Sequence, residues 1–192
     1  MLVVASAMNV NGEIENSSSE VKISFDKANP IVKVKRGWQS KTVSSEISKN
    51  NKNEGKGALL VTFEKADGKE YGVATVEITL TQAMDLTDSK ISFQTKKLTK
   101  GIRGSNISLI DSSGKSASSW GLNSRKKNKW EKSKIQYGKK GSAWKYDPAY
   151  HDGDIKQINK IVISIYAYGE GIQKYLFDDL KIETTNKKAF KL

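Results

Sequence analysis

Trp144, Tyr146 and Tyr150 fall within one stretch, GKKGSAWKYDPAYHDGD (138–154), with Lys139, Lys140 and Lys145 around them. Trp and Tyr combine a large apolar area with a polar tip. Neighbouring ammonium groups add mobile point charges suited to carboxylate, sulfate or phosphate. Such a set can hold a ligand with a flat or apolar face, without any group that would react with it. Trp120, in SSWGLN (118–123), stands close to Ser118, Ser119, Asn123 and Arg125 and has the same makings. The plain alternative for each ring is packing, and Trp130 and Trp38 read better as scaffold, Trp38 as part of the core.

Catalytic chemistry finds little footing. The only histidine, His151, has Asp147, Asp152 and Asp154 nearby in sequence. A hydrolytic triad also needs a nucleophile in contact with the base, and no G-x-S-x-G occurs. No phosphate loop, dinucleotide fingerprint or zinc spacing occurs either. DPAYHDGD (147–154) is acidic but lacks the D-x-D-x-D-G order of a calcium loop. There is no cysteine, which excludes disulfides and thiolate metal sites.

The elements that must carry these residues are strands. Apolar residues recur with period two, not 3.6. The runs are 20–26, 30–38, 57–65, 71–81, 89–98, 104–111, 117–122, 129–137, 158–169 and 174–183, rich in β-branched and aromatic residues and bounded by Gly, Asn, Asp, Ser and Lys. About ten short strands predict an all-β, two-sheet antiparallel β-sandwich. TQAMDLTD (81–88) has room for one short helical turn, and KKLTKGIRGS (96–105) reads as a basic loop carrying Lys96, Lys97, Lys100 and Arg103.

Parity assigns faces. Ile161, Ile163, Ile165 and Ala167 share one side, and Val162, Ser164, Tyr166 and Tyr168 the other, so Tyr166 and Tyr168 join the candidate ligand-binding rings. Ser133, Ile135 and Tyr137 point inward, with Lys132 and Lys134 outward. In 175–182 the alternation predicts Leu176, Asp178, Leu180 and Ile182 inward, with Tyr175 and Phe177 outward.

The 192 residues carry a net charge of +12 with two prolines, enough length for one domain with a real core. That surface attracts polyanions or simply keeps the chain soluble. Residues 1–19 read as a disordered leader in which LVVASA has the form of a clipped signal-peptide remnant. Residues 20–184 form the domain, and 185–192 a tail or the start of a linker. No run approaches the ~20 apolar residues that span a bilayer.

Several stretches taken together resemble β-jelly-roll carbohydrate-binding modules, the galactose-binding-like domains attached to polysaccharide lyases and glycoside hydrolases. EGKGALLVTFE (54–64) is similar to their E/S-x-x-G-x-x-A-L-x-V strand, and MDLTDSKISFQTK (84–96) to their D-L-S strand. NISLIDSSGK (106–115) carries the D-x-x-G turn, KWEKSKI (129–135) the W-x-x-V-x-I strand, and INKIVISIYAYG with YLFDDLKIE (158–183) the closing pair. The order holds from about residue 20 to 184.

The resemblance implies a jelly roll that binds polysaccharide without cleaving it. The rings would cover sugar C–H faces, and Lys and Arg would bias it toward uronate or sulfated chains. The ligand set is Trp120, Arg125, Trp144, Lys145, Tyr146, Tyr150, Tyr166 and Tyr168. The resemblance also implies a structural Ca²⁺ on Asp178 and Asp26, with carbonyls around 53–57; Asp178 could equally bond a turn. It implies a secreted or surface-exposed bacterial protein, with a catalytic domain as partner in a longer chain. One rival is single-stranded nucleic acid or another polyanion, held by stacking over a charged groove, although nothing resembles an OB-fold or an RRM motif. The other is a jelly-roll lyase or hydrolase, although the strand signature of such lyases does not occur.

Overall fold

The computed structural model describes residues 2–3, 19–23, 25, 31–53, 55–122, 126–136 and 151–184. They form twelve strands. The first six are β1 (Leu2–Val3), β2 (Ser19–Ile23), β3 (Val32–Arg36), β4 (Ser40–Ser48), β5 (Ala58–Lys65) and β6 (Gly72–Met84). The others are β7 (Ser89–Lys97), β8 (Ile102–Asp111), β9 (Ser116–Gly121), β10 (Glu131–Gln136), β11 (Ile158–Ala167) and β12 (Gln173–Thr184). A single 3-10 turn, Ile155–Gln157, leads into β11.

The strands make two antiparallel sheets. One runs β3-β6-β11-β8-β9. The other is built around β12, flanked on one side by β7 and then β10. On its other side, β12 pairs first with β5, which carries β4, and then with β2, which carries β1. The inner faces supply one core. Val76, Ile78, Ile107, Leu109, Ile161, Ile163 and Ile165 come from the first sheet, and Phe63, Phe93, Tyr175, Phe177 and Ile182 from the second. Each such side chain, fully buried, contributes about 1.5–3 kcal/mol. The architecture is the expected two-sheet jelly roll.

β1, within the expected leader and paired with β2, and β4 go beyond the ten expected runs. Val43, Ser45 and Ile47 stand opposite Phe63, Val61 and Leu59 of β5, while the other residues of β4 are polar. A strand on a sheet edge needs only a thin apolar face, and polar residues there discourage further pairing. The short helical turn expected within 81–88 does not form. β6 continues to Met84, and Asp85 Oδ1 then accepts a hydrogen bond from Thr87 N (3.0 Å), closing a turn. The basic loop expected at 96–105 is largely strand, with Lys96 and Lys97 ending β7 and Arg103 within β8.

The parity of β12 breaks in the middle. Its register against β7 shifts between Asp178 and Lys181, and Asp179 takes a left-handed φ of 53°. A β-bulge moves every later side chain to the opposite face. Tyr175 and Phe177 therefore point inward before the bulge, and Leu180 and Ile182 after it. The expectation that Tyr175 and Phe177 face outward, and Leu176 the core, is corrected. Leu176 packs on the outer side of the sheet with Ala58 and Leu60, where Leu98 and Trp130 cover it. Trp130 is scaffold, as the sequence suggests, and Lys96 Nζ lies 5.8 Å from its ring centre.

Candidate functional site

β3, β6 and β11 bring four aromatic rings to one end of the five-stranded sheet. Gly37 N donates to Val73 O and Val73 N donates to Trp38 O, both at 2.9 Å. A Cβ on Gly37 would lie 2.6 Å from Val73 O, so the close approach requires glycine there. Gln39 then takes a left-handed φ of 54°, and the chain turns into β4. This tight turn leaves the Trp38 side chain 64% exposed. The core role expected for Trp38 is overturned, because the strand ends before the ring can enter the sandwich.

Tyr71, just before β6, connects the set. Its ring centre lies 5.4 Å from that of Trp38, edge-on at 73°, and 5.3 Å from that of Tyr168, stacked at 29°. Tyr166 stands 6.3 Å away at 52°. Such pairs are worth about 0.5–1.5 kcal/mol each beyond burial, so the rings hold one another in place before any ligand arrives. Tyr168 is 41% exposed, and its N–H donates to Gly101 O (2.9 Å). Tyr166 pairs across β8 with Gly104, where a Cβ would meet nothing within 4 Å. The flank of the Tyr166 ring is therefore bare backbone beside open space. Arg103 is the extra residue of the β8 bulge beside that pair and is exposed.

Beyond the rings, the outer face becomes a floor of short polar side chains. Ser164 stands between Thr75 and Asn106 in the register. Asn106 Nδ2 donates to the Tyr166 hydroxyl at 3.4 Å, while its buried Oδ1 has no hydrogen-bond partner among the described residues. Ser108 Oγ donates to Ser119 Oγ at 3.2 Å. Lys160 stands at the far end between Thr79 and Ile110, and an ion pair between Lys35 and Glu77 at 2.6 Å lies along the floor itself, where Lys35 is opposite Thr75 and Glu77 opposite Val162. The face thus offers rings for apolar surfaces and short donors and acceptors for hydroxyls.

Tyr166 and Tyr168 lie on the outer face that parity assigns them, each within reach of Tyr71. Trp120 lies in the same sheet, opposite Ile107 in the β8–β9 register. Arg125, Trp144, Lys145, Tyr146, Tyr150 and Asp26 lie outside the described residues. The sequence reading missed Trp38 and Tyr71 as site residues. Their shared signal is an aromatic beside a glycine at a strand end, Gly37-Trp38 and Tyr71-Gly72.

Asp178 belongs to the other sheet and is 4% exposed. Its Oδ2 accepts from Asn53 N and its Oδ1 from Asp179 N, both at 2.8 Å. It therefore ties the loop before β5 to the bulge. Among the described residues no three His, Cys, Asp or Glu side chains gather as a metal site would need. Of the two expected Ca²⁺ ligands Asp178 alone is among the described residues, and Ca²⁺ takes six to eight oxygens.

Asp111 is a second hub. Its Oδ2 accepts from Asp154 N (2.8 Å), and its Oδ1 from Ser113 N, Ser113 Oγ and Lys115 N. The Asp154 N–H first, then the Ser113 hydroxyl and the other donors, hold its carboxyl down to about 2. These bonds explain the D-x-x-G turn and fix the loop that carries His151, whose Nδ1 lies 3.0 Å from Ser116 Oγ. No helix among the described residues is long and apolar enough to cross a membrane.

Neither a protein-family model nor a curated protein matches the sequence. Solved structures do. The family 11 carbohydrate-binding module of a cellulosomal cellulase from Clostridium thermocellum is similar at a TM-score of 0.58 and 17% identity, over 88% of this chain and 96% of that one. The chain has the fold of such modules. A family 11 module from the same organism, solved with a β-1,3-1,4-mixed-linked tetrasaccharide, is similar at 0.57 and 16% identity, over 85% and 94%. An exo-β-agarase is similar at 0.57 and 12% identity over 84% of this chain, which matches 24% of the agarase.

Proposed function

We propose that this chain is a non-catalytic polysaccharide-binding module and that the outer face of the five-stranded sheet receives the glycan. The observation that carries the reading is the Trp38–Tyr71–Tyr168 cluster, with Trp38 and Tyr168 exposed and Tyr71 half-buried between them, continued by Tyr166 onto a floor of Thr75, Asn106, Ser108, Ser119 and Ser164. Rings cover the C–H faces of sugars, and short hydroxyl and amide groups meet their hydroxyls. Asn106 Oδ1 would gain the donor it lacks. Fold likeness to a module solved with a bound tetrasaccharide supports the class.

Arg103 beside the rings and Lys160 at the far end would favour uronate or sulfate groups, through charge-assisted bonds. Trp120, Arg125, Trp144, Lys145, Tyr146 and Tyr150 remain further proposed contacts. A structural Ca²⁺ on Asp178 and Asp26, with nearby carbonyls, is proposed as support for the fold; a melting temperature unchanged by Ca²⁺ or chelator would discard it. The agarase match, over 24% of that chain, favours a role as one domain of a larger exported polysaccharide-degrading protein.

Affinity electrophoresis and calorimetry with mixed-linkage β-glucan and polygalacturonate test the reading. Retardation by at least one polymer, reduced in Tyr168→Ala and unaccompanied by new reducing ends, supports it. A folded protein that no polysaccharide retards is not such a module, and release of sugar products would favour the enzymatic alternative.

A further inference from the structure

One buried ammonium lies between the two loops that carry the stacked tyrosines. Lys65 is the last residue of β5 and is only 5% exposed. It continues the inward row of Leu59, Val61 and Phe63, so its stem packs at the end of the core and its charge reaches the loops there. Nζ donates to Lys69 O at 2.8 Å, in the loop 66–71 that ends on Tyr71. It also pairs with Glu170 Oε1 at 2.5 Å, in the loop 168–172 that begins on Tyr168. Each bond falls two residues from one ring of the Tyr71–Tyr168 stack.

The β6–β11 ladder ends at the Gly72–Ala167 pair. Register therefore brings the two rings near each other, and the loops beyond it set how they meet. The second loop is shaped from its other side by Gln173, whose buried Nε2 donates to Glu170 O (2.9 Å) and Gly171 O (3.2 Å). The Tyr168 and Gly169 N–H groups share Gly101 O. These bonds fix the backbone of that loop but do not reach the loop of Tyr71; the Lys65 ammonium does. A buried charge left without its partner is costly, so Lys65 holds Glu170 down although that side chain is itself 85% exposed. Asp67, in the first loop, pairs outside with Lys41 at 2.9 Å.

We propose that Lys65 is a positioning residue for the aromatic platform: it sets the Tyr71–Tyr168 stack by bonding both loops at once, and it touches no glycan itself. Its effect on glycan affinity rests on the glycan reading of the aromatic face, whereas its effect on the rings does not. A buried ion pair adds little stability over an apolar side chain of similar length. What this one adds is a fixed relation between two loops that strand pairing leaves free. A platform held in its binding geometry loses less side-chain freedom when a sugar arrives, and so binds more tightly.

The test uses the whole chain and reads the rings first without any glycan. Lys65→Met keeps the stem and removes the charge. It should melt close to wild type, while the nuclear Overhauser contacts between the Tyr71 and Tyr168 rings weaken or vanish. Glu170→Gln keeps an acceptor oxygen and should retain part of those contacts; its exposed position provides the same comparison if Lys65→Met does not fold. Lys41→Met breaks the Asp67 pair on the first loop without involving the second, and should leave the ring contacts intact. Calorimetry then uses mixed-linkage β-glucan, whose neutrality removes any direct effect of the lost charge. Affinity should fall about five-fold in Lys65→Met. It should fall no further when Lys65→Met is added to Tyr168→Ala, because the lysine acts through that ring. Unchanged ring contacts in the folded variants, an equal loss of contacts in Lys41→Met, or the same affinity loss on top of Tyr168→Ala would overturn the proposal. A wild type that binds no polysaccharide removes the glycan reading and leaves the ring contacts to decide on Lys65 alone.

Discussion

Tyr71 and Tyr168 stack with ring centres 5.3 Å apart and planes inclined by 29°. One precedes β6 and the other follows β11. Adjacent pairing of those strands brings them together, because Ala167 stands opposite Gly72. The stack is thus a product of sheet register and belongs to the same end of the sheet as Trp38. Tyr168→Ala should weaken glycan binding by about ten-fold, which is ~1.4 kcal/mol, with little change in urea midpoint, since the ring is 41% exposed. A double-mutant cycle with Tyr71→Ala should show coupling of about 0.5–1.5 kcal/mol. Additive losses would mean that the two rings do not act as one platform.

Asp178→Ala should be costly for stability. The carboxylate accepts N–H bonds from Asn53 and Asp179 and is almost wholly buried. Hydrogen bonds to charged groups are worth about 1.5–3 kcal/mol each, so the substitution should cost ~3 kcal/mol in urea denaturation. Asp178→Asn keeps one acceptor oxygen and should cost less. Wild-type stability in both variants would show that neither bond matters.

The same residue marks where the sequence stops being readable. β11 announces its faces because isoleucine recurs at every second position from Ile161 to Ile165 and nothing interrupts the ladder there. Tyr166 and Tyr168 were legible for that reason. β12 has apolar residues on both sides of its bulge, and one extra residue reverses the assignment of Tyr175, Leu176 and Phe177 without any change in composition. β4 escaped because an edge strand can be mostly Ser, Lys, Thr and Glu. Trp38 and Tyr71 escaped because their proximity comes from β3–β6 pairing, which parity within a single strand does not encode.

Asp111 should shape the acid limb of stability. Its carboxyl is held down to about 2 by the N–H of Asp154 and by the Ser113 and Lys115 donors. A group depressed on folding stabilises above its unfolded value, about 3.9, and that contribution is lost as pH falls through the folded value. Between neutral pH and about 4 its contribution should be constant, and it should fall away between about 4 and 2. Asp111→Asn should lower stability at pH 6 and flatten the loss below pH 4. Denaturation curves across that range would reveal it, and parallel pH profiles for the two proteins would refute it.

Gly72→Ala should destabilise by steric means alone. An added Cβ would lie 2.7 Å from the Cα and Cβ of Lys65 and 2.8 Å from Ser40 Oγ, whose hydroxyl donates to Val73 O. Forcing that contact should cost about 1–3 kcal/mol and shift the Tyr71 ring beside it. Gly114→Ala has open space around the new methyl but keeps a left-handed φ of 85°, so it should cost about 1 kcal/mol without touching glycan binding. Comparing melting and binding for the two variants separates crowding at the site from backbone strain far from it.

Trp38 and Trp130 should respond in opposite ways. Trp38 is exposed at the aromatic end and packs edge-on against Tyr71. Its removal uncovers little, so Trp38→Ala should lose glycan affinity while its melting temperature stays near that of wild type. Trp130 lies over Ala58, Leu60 and Leu176 on the other sheet. Removing a large ring that seals an apolar cluster exposes that cluster to water, so Trp130→Ala should cost about 2 kcal/mol. Glycan affinity should survive in the folded fraction, because the ring is remote from the aromatic face. Calorimetric titration beside urea denaturation distinguishes the two roles. Loss of binding in a fully folded Trp130→Ala, with Trp38→Ala unaffected, would move the glycan site to the seven-stranded sheet.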